Sequence, residues 1–128
     1  WNGRMQWIAE TGSADLLLEG AHNEEGAAAL GSWCRRHLQG RDVTLLFSAL
    51  GKKDISSMLK GLLTDAPFRR ILFARMRDEA GLTPQEFMEW VSPYQGEFEI
   101  ESAESVEEGL QRARKETAQG GLILCAGS

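Results

Sequence analysis

From Leu16 onward, short apolar runs alternate with longer amphipathic segments, and this alternation limits the possible folds more than any other feature of the chain. The apolar runs have the length of buried strands. The segments between them repeat apolar side chains at the three-and-four spacing of helices. Alternating strands and helices need right-handed crossovers, which build a mostly parallel sheet covered on both faces. The sequence therefore predicts a three-layer α/β domain.

Six strands are expected in this sheet. Only a short polar turn joins the first two, so we expect them to be antiparallel neighbours at one side of the sheet. The expected fold class is a Rossmann-like domain with a six-stranded, mostly parallel sheet and one antiparallel strand. The strands are predicted at residues 4–9, 16–19, 43–47, 70–74, 98–101 and 122–126, with helices at 24–38 and starting after the N-caps Asp54, Thr83 and Ser105.

Length and charge exclude several classes of function. The 128 residues are the size of one domain. A net charge of −5 disfavours non-specific binding to nucleic acid or to an anionic membrane. No apolar run approaches the ~20 residues of a membrane span, and no signal peptide is evident. Cys34 and Cys125 form no C-x-x-C pair, so we expect buried free thiols in a reducing cytosol.

Polar residues follow the predicted parallel strands at the edge where such sheets bind ligands. Glu19 and His22 follow the second strand, and Lys53 and Asp54 follow the third. An imidazole, cations and carboxylates along one edge suit a phosphate and an amino acid. From the residues alone, His22 is equally a ligand contact or a cap for its own helix. Glu19 either meets a ligand or pairs with a basic residue, and Lys53 either meets a ligand or is a solvated charge.

Several catalytic signatures are absent from the sequence. Neither a G-x-x-x-x-G-K-[ST] loop nor a G-x-G-x-x-G turn occurs, so we do not expect the domain to hold a nucleoside triphosphate by itself. His22 and His37 lack the spacing of metal ligands, and His37 falls where a helix C-terminus favours a cation. No G-x-S-x-G elbow is present. We therefore assign no catalytic side chain and no metal site.

One segment carries a family resemblance. Residues 17–30, LLEGAHNEEGAAAL, resemble the L-D-G-A-H-N-P-x-[GA] signature of folylpolyglutamate and dihydrofolate synthases, a branch of the Mur ligases. Three further segments agree in order. WNGR at 1–4 resembles W-P-G-R, SALGKKD at 48–54 resembles G-x-L-x-D-K-D, and CAGS at 125–128 resembles the T-G-S near the end of that domain.

The resemblance implies an enzyme made of two domains. The N-terminal ATPase domain of these ligases carries the P-loop and binds most of the ATP and Mg²⁺. ATP phosphorylates the carboxylate of dihydropteroate or folate, and the amine of L-glutamate displaces the phosphate from this acyl phosphate. Residues 1–128 are then a single C-terminal, glutamate-ligase domain of a larger ligase, inactive when isolated. A cytoplasmic monomer without nucleic-acid or membrane partners is expected.

The resemblance also implies roles for individual residues. Glu19 replaces the family aspartate and carries the carboxylate about 1.5 Å further along its side chain. Glu24 replaces the family proline and adds negative charge beside the site. The implied contacts are Arg4 with ATP phosphates, Glu19 with the ribose, His22 and Ser128 with the incoming glutamate, and Asn23, Lys53 and Asp54 on loops facing the cleft.

Two alternatives remain at this point. A Mur-ligase-type domain could act on a different acid, because the acceptor site of these enzymes lies largely on the other domain. A stand-alone, doubly wound regulatory binding module would need a cluster of acids at the first strand ends for a metal. Only Glu19 stands there.

Overall fold

The computed structural model describes residues 6–9, 12–20, 23–49, 55–76, 81–94 and 97–127. Its elements, in chain order, are β1 (Gln6–Ile8), β2 (Asp15–Leu18), α1 (Glu24–His37), β3 (Val43–Ser48), α2 (Ile55–Leu63), β4 (Arg70–Ala74), α3 (Pro84–Val91), a 3₁₀ turn (Ser92–Tyr94), β5 (Glu99–Ala103), α4 (Val106–Glu116) and β6 (Leu122–Gly127).

The six strands form one sheet in the order β1-β2-β6-β3-β4-β5. The strands β1 and β2 pair antiparallel, and every other pair is parallel. The predicted fold class and the antiparallel start are thus confirmed. The strand β6 comes last among these elements, yet it lies between β2 and β3.

Two helical layers cover the sheet unequally. The crossovers through α1, α2 and α3 all advance in one direction across the sheet, so right-handed connections place these helices on one face. Their core includes Phe73 and Phe87, whose rings stack at 4.7 Å. The crossover through α4 returns in the opposite direction. On that second face, Ala113 of α4 packs in a smaller cluster with Leu46 and Leu72.

Local sequence explains where the helices begin. The Asn23 side-chain oxygen accepts from the Gly26 N–H at 2.7 Å, and Thr83 and Glu86 form the predicted capping box. The capping box predicted for α4 is only half formed. Ser105 caps the helix, but the Glu108 carboxylate accepts from the Glu104 N–H rather than from the cap residue. Asp54, the predicted cap of α2, lies outside the described residues.

The α1 and α2 backbones are in direct contact. A Cβ atom placed on Gly31 would lie 2.0 Å from the Gly61 carbonyl oxygen. Only a residue without a side chain therefore fits at this crossing. This contact fixes where α1, and hence Asn23 at its start, lies relative to the rest of the domain.

Several predicted boundaries move by one or two residues. The strand β1 ends at Ile8 rather than at residue 9, β2 starts at Asp15, and β5 spans Glu99–Ala103 rather than 98–101. Val106 lies on the predicted apolar side of α4 but is 42% exposed, because none of the described elements covers it there. Within the described ranges, no helix is long and apolar enough to cross a bilayer.

Candidate functional site

The carboxyl ends of the central strands meet at one edge of the sheet. Ser48, the last residue of β3, is in register with Gly127, the last residue of β6. Leu18 at the end of β2 pairs with Cys125, two residues before Gly127. The ends of β2, β3 and β6 are therefore neighbours at this edge, as predicted.

Glu19 lies at this edge, directly after β2. Its backbone N–H donates to the Cys125 carbonyl at 2.9 Å, which extends the β2–β6 ladder by one residue. Its side chain is half-buried. Burial raises the pKa of the Glu19 carboxyl, and a hydrogen bond from the Gly20 backbone partly opposes this. A carboxylate in this setting is stabilised by a ligand that offers hydroxyl or N–H donors.

A pocket of about 440 Å³ opens beside Glu19 on the α4 face of the sheet. Its wall is apolar, whereas Glu19 and Ser48 add polar groups to the lining. An apolar hollow next to a few polar groups suits a flat or aliphatic ligand with one polar edge. The apolar lining includes Leu16, Leu18, Leu46, Met76, Val106 and Leu110.

Asn23 is the second predicted site residue that the structure describes. Its carboxamide oxygen is occupied by the cap of α1, and its side chain is exposed. Asn23 is therefore the residue that caps α1. Glu24 and Glu25 follow in the first turn, where they complement the helix dipole and would oppose a bound anion.

The remaining predicted site residues are not described, so their roles stay predictions. They are Arg4, His22, Lys53, Asp54 and Ser128.

Two features of the site were missed at the sequence level. Gly127 has φ +121°, and a Cβ there would lie 1.8 Å from the Ser48 carbonyl oxygen, so a glycine is needed where β6 meets β3. Its only sequence signal was its place in the CAGS segment. The pocket wall formed by Val106 and Leu110 had no signal beyond the helical period of α4.

Among the described residues, the cysteines and the possible metal ligands add neither a reactive thiol nor a metal site to this edge. Cys34 and Cys125 are free, as predicted, but only Cys34 is buried, and Cys125 is half-buried. Burial raises their pKa values to about 12 and about 11. In the part of the chain that the structure covers, no three His, Cys, Asp or Glu side chains gather in a group able to hold a metal ion.

The strand order and the antiparallel edge strand among the described elements define a Rossmann-like domain, with Glu19 and Ser48 as polar groups at its carboxyl edge. Residues 3–128 match the family described as Mur ligase, glutamate ligase domain. The chain belongs to this family, which confirms the resemblance to Mur ligases noted in the sequence.

Known proteins agree with this assignment. The dihydrofolate synthase/folylpolyglutamate synthase of Bacillus subtilis (strain 168) is 35% identical over 66 residues, which are 52% of this chain and 15% of that protein. The structure of E. coli FolC in complex with ADP matches all of this chain and 29% of its own, with a TM-score of 0.82 and 21% identity.

A bifunctional folylpolyglutamate synthase/dihydrofolate synthase with Mn, AMPPNP and L-glutamate bound matches with a TM-score of 0.78 and 20% identity, over 98% of this chain and 28% of that one. At such identities the structural matches establish the fold alone. The chain spans less than a third of each of these three proteins.

Proposed function

We propose that the chain is the C-terminal, glutamate-ligase domain of an ATP-dependent ligase that adds L-glutamate to dihydropteroate or folate. The observation that carries this proposal is the family match over residues 3–128. The Bacillus subtilis relative supports the acceptor, because its name includes both the dihydrofolate synthase and the folylpolyglutamate synthase activities.

In this proposal the second half of the enzyme is an N-terminal ATPase domain, which binds most of the ATP and Mg²⁺. Bound ATP supplies the phosphoryl group that activates the acceptor carboxylate as an acyl phosphate for attack by the glutamate amine. The described residues fit a supporting role, because the half-buried Glu19 carboxylate can accept hydrogen bonds from ribose hydroxyls.

The domain contributes positioning and charge rather than a nucleophile. We assign Arg4 to the ATP phosphates, since a guanidinium matches their oxygens. His22 and Ser128 hold the incoming glutamate, and the loops that carry Lys53 and Asp54 border the cleft. Asn23 acts indirectly, because its cap fixes the start of α1, which follows His22 in the sequence. Orientation of this kind suffices for aminolysis of an activated acid.

We further propose that the full enzyme is a cytoplasmic monomer. Two free thiols, Cys34 buried and Cys125 half-buried, support a reducing compartment. A net charge of −5 supports small-molecule partners rather than nucleic acid or a membrane surface.

The direct test is ATP-dependent incorporation of labelled L-glutamate into dihydropteroate and tetrahydrofolate by the complete protein that contains this chain. We expect product and phosphate to form in equal amounts, and no turnover by the isolated 128 residues. Turnover by the isolated chain would contradict the division into two domains. A complete protein that couples glutamate only to another acid would contradict the folate assignment.

Matched variants test the two ligand roles. His22→Ala should raise KM for glutamate by about tenfold to a hundredfold, as expected for a lost hydrogen bond to a charged ligand, with little change in KM for folate. Glu19→Gln should instead raise KM for ATP. Two variants serve as controls. They are His37→Ala, at the far end of α1, and Glu89→Gln, which changes an exposed residue of α3. Equal effects of His22→Ala on glutamate and folate would remove His22 from the glutamate site.

A further inference from the structure

The strand β5 forms one outer edge of the sheet, and among the described strands only β4 pairs with it. With five residues it is longer than β1 at the opposite edge, which has three. Glu99 and Ala103 form backbone hydrogen bonds with the residues just before and just after β4. Because the backbone groups of a strand alternate in direction, those of Ile100 and Ser102 face away from β4. Outward groups of this kind can pair with a strand of another chain.

One of these outward groups is already occupied by a side chain of α4. Nη1 of Arg112 donates to the Ser102 carbonyl at 2.6 Å. Its other terminal nitrogen, Nη2, forms an ion pair with the Glu101 carboxylate, and both of these side chains are half-buried. Arg112 therefore binds the backbone of β5 with one nitrogen and a side chain of β5 with the other.

The position of Glu101 explains how a helical residue reaches the edge. Glu101 is in register with Leu72 of β4, and Leu72 packs in the cluster beneath α4. Residues in register on parallel neighbours point to the same face of the sheet. Arg112 thus meets the Glu101 carboxylate on the α4 face, and the ion pair holds its guanidinium beside the Ser102 carbonyl.

The backbone groups of this edge would be matched by β5 of a second copy of the chain. An antiparallel pair related by a two-fold axis aligns Ile100 of each copy with Ser102 of the other. Each aligned pair exchanges two backbone hydrogen bonds, and in each copy one of the acceptors is the Ser102 carbonyl. The same alignment sets the Glu101 residues of the two copies opposite each other, with Cα atoms about 4.5 Å apart, where like charges oppose pairing.

We propose that Arg112 keeps the outer edge of β5 closed to a second copy of this chain. Its hydrogen bond withdraws the Ser102 carbonyl from pairing between chains. A second copy would have to displace the guanidinium, which would expose two glutamates to each other at the centre of the new contact. This role of Arg112 does not depend on the proposed ligase activity.

The double variant Glu101→Gln/Arg112→Ala opens the edge without changing the net charge, because one acidic and one basic group are lost together. Glutamine at this position also removes the repulsion between the two copies. We expect sedimentation velocity to show single chains for the wild type and a rising share of paired chains for the double variant between about 0.1 and 1 mM. Four backbone hydrogen bonds support an affinity in this range.

Two matched variants separate the role of the arginine from the effect of charge. Glu101→Gln alone leaves Arg112 on the Ser102 carbonyl and should remain a single chain. Lys115→Ala removes a cation from an exposed position of α4 and should do the same. If either variant pairs as strongly as the double variant, loss of charge rather than an open edge is the cause. A double variant that stays a single chain at about 1 mM, or a wild type that pairs there, would overturn the proposal.

Addition of Ser102→Pro to the double variant tests whether the pairing runs through β5. The Ser102 N–H faces outward, so proline removes a donor to the other copy and no hydrogen bond to β4. We expect this triple variant to return to single chains, with the circular dichroism of the wild type. Association that persists in the triple variant would run through another surface or through unfolded chains, and it would contradict the proposal.

Discussion

Replacement of Gly31 by alanine tests the contact that holds α1 against α2. The added methyl group would lie 2.0 Å from the Gly61 carbonyl oxygen and 3.0 Å from its carbonyl carbon. Carbon and oxygen atoms rarely approach closer than about 3.3 Å, so the two helices must separate by roughly 1 Å. Overpacking of this kind costs about 1–3 kcal/mol, while the better helix propensity of alanine returns up to about 1 kcal/mol.

We therefore expect Gly31→Ala to destabilise the chain by about 1–2 kcal/mol, which corresponds to a fall of about 3–8 °C in melting temperature. Circular dichroism at 222 nm, followed during heating and in urea, measures both quantities. Ala29→Leu adds a larger group on the exposed side of the same helix and should change stability by less than about 0.5 kcal/mol. A Gly31→Ala variant as stable as the wild type would show that the helices do not cross this closely.

Three further predictions concern a cap, the thiols and a buried hydroxyl. Asn23→Ala should destabilise the chain by about 1 kcal/mol in urea unfolding, because the Gly26 N–H loses its acceptor, and Asn23→Asp should keep most of that stability. Cys34 and Cys125 should react with iodoacetamide at pH 8 more than about 100-fold slower than an exposed thiol, since pKa values of about 12 and about 11 leave little thiolate. Thr44→Val should cost about 1–3 kcal/mol, because buried Arg70 loses an acceptor.

Each of these predictions has an outcome that would contradict it. Equal stability of Asn23→Ala and Asn23→Asp would mean that the cap contributes nothing. Rapid alkylation of either cysteine in the native protein would show that its sulfur is not buried. The control for Thr44→Val is Thr64→Val, which removes an exposed hydroxyl. Equal losses in the two variants would show that the buried hydroxyl has no special role.

Much of the fold follows from local patterns. Helix α2 was predicted from the N-cap Asp54 and from apolar residues at helical spacing. These five apolar residues are all buried: Ile55, Met58, Leu59, Leu62 and Leu63. The capping box that begins α3 was equally clear, because Thr83, Pro84 and Glu86 each act within one helical turn. These features depend on neighbours in sequence, so a single sequence suffices to predict them.

Long-range features were not accessible in the same way. The sequence placed Arg70 in a strand but could not show its burial, because its partners Asp42, Thr44 and Glu99 come from other parts of the chain. The pocket beside Glu19 depends on which strands α4 covers, and this follows from the strand order. Of the candidate site, the sequence located the sheet edge and two residues that the structure describes, Glu19 and Asn23.

The central position of β6 has a consequence for how the chain folds during synthesis. Until residues 122–127 have left the ribosome, the β1–β2 hairpin and the β3–β4–β5 sheet remain separate, because β6 is the strand that joins them. Each part then presents an unpaired strand edge, at β2 and at β3, and such edges recruit other chains. The nascent protein is therefore most prone to aggregation just before its last described strand emerges, and chaperone binding at that stage would protect it most.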